Sequence, residues 1–321
     1  MTTFRIGAAS DVGRVRSNNQ DSKLVTDDLY AVADGMGGHL GGEVASAIAV
    51  ETLRSSVSEP TIDGVISGVR MANRAIYTRS ASDPDLRGMG TTLCAVARVE
   101  VDGGHDQLTI VNVGDSRGYL LRGGDLTQIT RDHSLVEDLR AEGRLTAEEA
   151  AVHPHRNIVT RALGIDPDVE VDHTEVDPLP GDRYVLCSDG LTNEVTLDKL
   201  GATLRRLADP QDAADELVRL ANDNGGRDNI TVVVVDIVEG GGSPATAAGA
   251  VAGEQRDQTA VAPAVPAAPR EGNTQSTVVP PPPAADATAP ASGPGDAGLE
   301  PKPVSVAPAE PAVHTRRFTW R

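Results

Sequence analysis

The sequence predicts an α+β fold with antiparallel sheets, on three observations. Short apolar, β-branched runs recur along residues 1–238, helical spacings lie between them, and the composition breaks near residue 239. The strand-like runs are 4–10 (FRIGAAS), 29–35 (LYAVADG), 91–101 (TTLCAVARVEV), 108–116 (LTIVNVGDS), 184–190 (YVLCSDG) and 230–238 (ITVVVVDIV). Each is short, apolar and bounded by glycine or charge, as strands are. The first helix is predicted over 43–57, where Val44, Ile48, Val50 and Leu53 fall near helical spacing, and 61–80, 134–142, 196–208 and 211–222 read similarly. The helices cluster between pairs of strands instead of following every strand. That order disfavours a parallel βαβ plan and favours antiparallel sheets with helices packed on them.

Composition excludes several functions. The 321 residues carry 29 Lys plus Arg against 47 Asp plus Glu, a net charge of −18. Nucleic-acid binding relies on basic side chains displacing counterions, so no nucleic-acid partner is expected. Docking of the folded domain on an anionic membrane is disfavoured for the same reason. Two cysteines, Cys94 and Cys187, cannot form a disulfide framework. No run of about 20 apolar residues is present, and MTTFRIGAASDV lacks a signal-peptide core. The expectation is a soluble, cytoplasmic, acidic protein.

The expected domains are 1–238 and a tail, 239–321. The tail holds 14 of the 21 prolines and 19 alanines, so it buries too little apolar surface to offset the entropy of ordering. It is predicted to be a disordered spacer with polyproline-II character at Pro280–Pro283. Its PxxP patterns (Pro263/Pro266, Pro266/Pro269, Pro308/Pro311) would suit an SH3-like partner, although such patterns arise by chance in a proline-rich segment. Arg316, Arg317, Phe318, Trp320 and Arg321 mix basic and aromatic residues as flanks of membrane spans do. Two readings stay open: a span follows, placing the domain at the cytoplasmic face of a membrane, or this is only a basic tail end.

The chemical signal is where the aspartates fall. Asp34-Gly35 ends one strand-like run, Asp115 another and Asp189-Gly190 a third, while Asp228-Asn229 precedes the last. One Asp-Gly after a strand is usually a turn. Four aspartates at strand ends, if they converge, would repel unless protonated or bound to cations. All-oxygen sites suit hard ions such as Mg²⁺ or Mn²⁺. Two weaker signals accompany them: the glycine-rich DGMGGHLGGEVAS (34–46), which is no Walker loop, and Arg16, five positions before Asp21, whose guanidinium suits bidentate phosphate contact.

Eight motifs then stand in one order: RSNNQD (16–21), VADGMGGH (32–39), GTT (90–92), VGDSR (113–117), TRDHS (130–134), HPHRNIVTRALG (153–164), LCSDGL (186–191) and GGRDNITVVVV (225–235). Together they resemble the metal-dependent protein phosphatase family known as PP2C or PPM, in its compact bacterial form. The resemblance implies a PP2C-like central antiparallel β-sandwich flanked by helix pairs (α-β-β-α). It implies hydrolysis of phosphoserine and phosphothreonine in proteins by a metal-bridged hydroxide attacking phosphorus in line, opposing bacterial Ser/Thr protein kinases. Two core Mn²⁺ or Mg²⁺ ions are implied, with a weaker third. By motif, Asp34 would bridge the core pair, the Gly35 carbonyl would bind one ion, and Asp189 and Asp228 the other. Asp115 and Asp189 would hold the third ion. Asp21 would act through waters, Asn229 would orient its neighbours, and Arg16 would bind the substrate phosphate.

One departure stands out. Animal members place a histidine directly after the first Asp-Gly, and here that residue is Met36. The general acid is therefore either His39 or water held by the metals.

Other readings are weaker. Cysteine-phosphatase chemistry needs Arg six positions after the thiol, where this chain has Glu100 and Asn193. His153 and His155 have metal-like spacing, but segment 143–165 reads better as a surface flap beside the site. Ser134 beside His133 lacks a nucleophile-elbow context. A non-catalytic PP2C-like phosphoprotein-binding or regulatory module is the alternative from another class; such modules typically lose the metal aspartates, which are all present here. A proline-rich adaptor working through its tail is a third.

Overall fold

The computed structural model describes residues 2–37, 40–57, 61–101 and 105–239. His39 and the predicted tail beyond 239, with its PxxP patterns and basic–aromatic end, lie outside the described residues.

In chain order the elements are β1 (Thr3–Asp11), β2 (Asp21–Val25), β3 (Leu29–Met36), α1 (Gly41–Ser56), α2 (Ile62–Ser82), β4 (Gly90–Thr91), β5 (Leu93–Val101), β6 (His105–Val113), β7 (Arg117–Arg122), β8 (Asp125–Gln128), α3 (Leu135–Ala141), α4 (Ala147–Ala151), β9 (Asp172–Val176), β10 (Arg183–Cys187), α5 (Asp189–Thr192), α6 (Leu197–Arg206), α7 (Pro210–Asp223) and β11 (Ile230–Glu239). One sheet has the order β1-β11-β10-β7-β8 and the other β2-β3-β5-β6-β9, with β4 joined to the end of β3. Every strand pairing is antiparallel. The fold class expected from sequence is the one observed.

Why β11 is apolar at nearly every position follows from its place. It lies inside its sheet, between β1 and β10, and is covered on both faces, so alternation carries no polar side. Val233, Val235 and Ile237 face the other sheet, meeting Tyr30, Val32 and Val96 across the sandwich. Ile230, Val232 and Val234 face outward onto Leu200, Leu204 and Leu217 of α6 and α7. On the opposite outer face, small residues Ala31, Ala33, Ala95 and Ala97 receive Ala45, Ala49 and Leu53 of α1, with α2 beside it. Small side chains on both partners let helix and sheet approach closely. The result is an α-β-β-α sandwich. No helix among the described residues is long and apolar enough to cross a membrane.

Four strands carry no periodic signal in the sequence. β2, β8 and β9 bury almost nothing, with one buried residue (Leu24) among the three. β7 is apolar in the middle but framed by Arg117 and Arg122. Both cysteines are free and buried in the core, each on an apolar strand.

Arg183 anchors the far end of the sheet. It is 7% exposed and pairs with Asp236 across the β10–β11 ladder, Nε to Oδ1 at 2.5 Å and Nη2 to Oδ2 at 2.7 Å. It also donates to the carbonyls of Leu204, Leu207 and Ala208, capping the C-terminal end of α6.

Candidate active site

The sandwich brings the predicted aspartates to one end. Asp34 on β3 stands directly across the ladder from Asp21 on β2. Directly opposed like charges destabilise a sheet, so a compensating cause is required. Asp115 lies in the loop after β6, Asp189 is the first residue of α5, and Asp228 lies two residues before β11. The strand-end expectation is thus corrected in two places. Asp34 sits inside β3, which runs on to Met36. Asp189 opens a short helix, because the chain leaves the sheet at Cys187 and Ser188 precedes the helical turn.

The glycines after Asp34 and Asp189 also serve a different end from the turn expected of them. Neither has a left-handed backbone. A Cβ on Gly35 would lie 2.1 Å from the Gly42 oxygen and 2.5 Å from that of Gln20; one on Gly190 would lie 2.0 Å from the Asn229 oxygen. Both glycines let two backbones touch, and the Gly35–Gly42 contact seats the start of α1 against the Asp34 strand. Met36, directly after Asp34-Gly35, is half-buried and its thioether offers no proton.

Hydroxyls and amides hold the carboxylate-bearing segments in place. The Asp34 amide donates to Thr92 Oγ1 (2.9 Å), and the Asp34 carbonyl accepts from the Thr92 amide and the Thr91 hydroxyl. Thr92 in turn shares a 2.7 Å hydrogen bond with Ser116, beside Asp115. Ser188 donates to Asp21 Oδ2 at 2.8 Å and receives the Thr231 amide. Asn229 accepts from the Gln20 amide and donates to the carbonyls of Val12 and Asn18, tying down the loop that carries Arg16. Arg16 Nη2 itself lies 2.8 Å from Asp228 Oδ2. Thr92, Ser116 and Ser188 were not among the expected site residues; the only sequence signal for them is membership of the motifs GTT, VGDSR and LCSDGL, in the last two of which the serine adjoins an aspartate.

The electrostatics are those of crowded carboxylates. Burial first, then Asp21, Asp189, Asp115 and Asp228, push the Asp34 carboxyl well above its ordinary range. Burial raises Asp115 to about 7, with Asp189 adding to the effect. It raises Asp21 to about 6, although the hydroxyls of Thr231 and Ser188 pull the other way. Asp189 is raised by burial and by Asp228. Arg16 is raised by its hydrogen bond and its Coulombic attraction to Asp228.

This donor set fits hard divalent ions. It is all oxygen, the carboxylates disfavour one another's charge, and Asp21 Oδ1 is buried without a hydrogen-bond partner. Among the described residues no three acidic, histidine or cysteine side chains form a ready-made cage. Asp228 is turned to Arg16 and Asp189 Oδ2 accepts from Asn193, so both carboxylates would have to turn to share an ion. Mg²⁺-like ions keep several waters, and a site of few protein ligands per ion suits them.

A cavity of about 180 Å³ adjoins Asp115 and Asp189 and is walled by Arg140 of α3 and by Arg156 and Asn157 of the turn after α4. The expected flap beside the site is therefore observed, although it begins at α3. His153 and His155 stack edge to face within it, on an exposed turn.

An antiparallel α-β-β-α sandwich with aspartates gathered at one end is the architecture of metal-dependent phosphatases, and the sequence profile described as protein phosphatase 2C matches residues 14–223. The chain belongs to the protein phosphatase 2C family. It is 43% identical over 262 residues to the serine/threonine protein phosphatase PstP of Mycobacterium tuberculosis, covering 80% of this chain and 50% of that one. The chain thus spans about half the length of PstP. It is 40% identical over 240 residues to the serine/threonine phosphatase stp of Listeria monocytogenes, covering 71% of this chain and 93% of that one. The crystal structure of the PstP catalytic domain in complex with two manganese ions superposes with a TM-score of 0.66 at 42% identity, covering 74% of this chain and all of that one.

Proposed function

We propose that this chain hydrolyses phosphoserine and phosphothreonine in proteins, acting on the products of Ser/Thr protein kinases. The observation that carries the reading is the gathering of Asp21, Asp34, Asp115 and Asp189, each half-buried, in mutual repulsion, with Asp228 and Arg16 paired at their rim. Asp34, the Gly35 carbonyl, Asp189 and Asp228 would hold two Mn²⁺ or Mg²⁺ ions, and Asp115 with Asp189 a weaker third. The two manganese ions of the PstP structure support that assignment. Bound there, such ions lower the pKa of water and neutralise charge on a phosphoryl group.

The chain's own groups supply the rest. Arg16 is half exposed, and its guanidinium can serve a substrate phosphate as well as Asp228. Asn229 fixes the loop from Val12 to Gln20 and so sets where that guanidinium stands. Asp21, opposite Asp34 and held by Ser188, would orient waters in the site. The buried free thiols suit a reducing, cytoplasmic setting. Residues 1–238 would form the catalytic domain and 239–321 a spacer.

The test is hydrolysis of a phosphothreonine peptide with Mn²⁺, with excess EDTA, and by Asp228→Asn. Turnover should require both the metal and Asp228. A folded, manganese-loaded chain without turnover would refute the catalytic reading and leave a phosphoprotein-binding module.

Arg16→Ala should raise KM about 10- to 100-fold, as expected for one charge-assisted contact, and lower kcat less. Steady-state kinetics on the same peptide decide this, and unchanged KM and kcat would remove Arg16 from the site.

A further inference from the structure

His133 is 5% exposed and uses both ring nitrogens. Nδ1 accepts from the Gly114 amide at 3.0 Å, while Nε2 lies 3.1 Å from Asp172 Oδ2. An amide can only donate, so Nδ1 is bare and Nε2 carries the proton toward the carboxylate. Arg161 Nη1 holds the other oxygen of Asp172 at 2.6 Å and also lies 3.0 Å from Nε2.

Gly114 is the residue before Asp115. Its φ is +108°, and a Cβ there would meet Thr92 at 2.6 Å. Its carbonyl has two donors, the His133 amide and Asn112 Nδ2. Its amide has the imidazole. The same residue also roots the flap: the His133 carbonyl accepts from the Thr160 amide, Ser134 bridges to Val159, and the Leu135 amide donates to Ile158. One buried ring thus joins the Asp115 loop, the base of the flap and the end of β9.

We propose that His133 is a positioning residue for Asp115: by holding the Gly114 amide it fixes the direction in which the Asp115 carboxylate leaves the sheet, and with it the affinity of the ion on that side of the site. The proposal rests on the metal-site reading above. Groups that hydrogen-bond a metal ligand directly typically contribute 10- to 100-fold in affinity, and His133, acting through the Gly114 backbone, is expected at the lower end of that range.

Two substitutions separate the arms of the ring. Asparagine places its oxygen near the position of Nδ1 and keeps an acceptor for Gly114. Glutamine reaches the position of Nε2, keeping a donor for Asp172 and losing the Gly114 bond. Manganese titration of the full chain, read by the electron paramagnetic resonance of free Mn²⁺, should show His133→Gln weakening the loosest ion about tenfold or more. His133→Asn should restore it, and the tighter ions should be unmoved in both. Nitrogen-15 spectra of the wild-type imidazole should show Nε2 protonated and Nδ1 bare, a readout that requires no variant to fold. The opposite tautomer, a His133→Gln isotherm like wild type, equal weakening by both variants, or tight ions with no looser class would each overturn the proposal alone. A wild-type chain that binds no manganese would overturn the metal-site reading itself, and this proposal with it.

Discussion

Asp34→Asn should abolish phosphopeptide turnover, by roughly a thousandfold or more, the scale expected when a preorganised charge-stabilising centre is lost. The substitution keeps the shape of the side chain and the backbone bonds of Asp34 to Thr91 and Thr92, so the fold should survive. A second effect distinguishes this variant from mere damage. In metal-free protein the crowded, half-buried Asp34, with Asp21 at about 6 and Asp115 at about 7, binds protons in the folded state that the unfolded chain has released. Raised carboxylate pKa values contribute stability that is complete below about pH 4 and is lost as pH rises through 6 to 7. In EDTA, therefore, wild type should lose stability relative to Asp34→Asn between pH 5 and 8, and excess Mn²⁺ should reverse the order. Thermal unfolding of both proteins across that range is the check. Near-wild-type turnover, or a wild type that gains on the variant with rising pH in EDTA, would contradict the account.

Arg183→Ala should cost about 3–5 kcal/mol of stability, the usual result of removing one member of a buried ion pair. Asp236 would keep an uncompensated charge, and the carbonyls of Leu204, Leu207 and Ala208 would lose their donor at the end of α6. For a domain of this size the shift in Tm is roughly 10 °C. Adding Asp236→Leu should recover only part of the loss, because the three carbonyls remain unpaired. Kinetics at low temperature should be near wild type, since this cluster belongs to the far end of the sheet. A Tm within about 2 °C of wild type would show that water replaces the guanidinium without penalty.

Legibility in the sequence followed burial. The strands that carry the core, β3, β5, β6, β10 and β11, announce themselves as apolar runs, and α7 by its spacing. Edge strands such as β8, with one half-buried leucine in four residues, leave no pattern to read. The candidate site aspartates were legible by two routes, the order of their motifs for all of them and strand ends for Asp115 and Asp228; Asp34 lies inside its strand and Asp189 begins a helix. The roles of Gly35 and Gly190 were not legible, since a glycine needed for close approach looks the same in sequence as one needed for a turn. His133 was passed over for a related reason. Its partners are a backbone amide and Asp172, 39 positions away, and neither leaves a spacing signature.

The β1–β11 ladder sets a condition on how the protein is made. Residues Thr3–Asp11 pair with the last described strand, and that strand lies between β1 and β10. Until it is synthesised, its sheet is divided, the inner face of the sandwich lacks Val233, Val235 and Ile237, and Asp228 and Asn229 have nothing to anchor them. A nascent chain on the ribosome therefore holds Arg16, Asp34 and Asp115 long before it holds a site. A chain that lacks β11 therefore carries these residues without the sheet that gathers them.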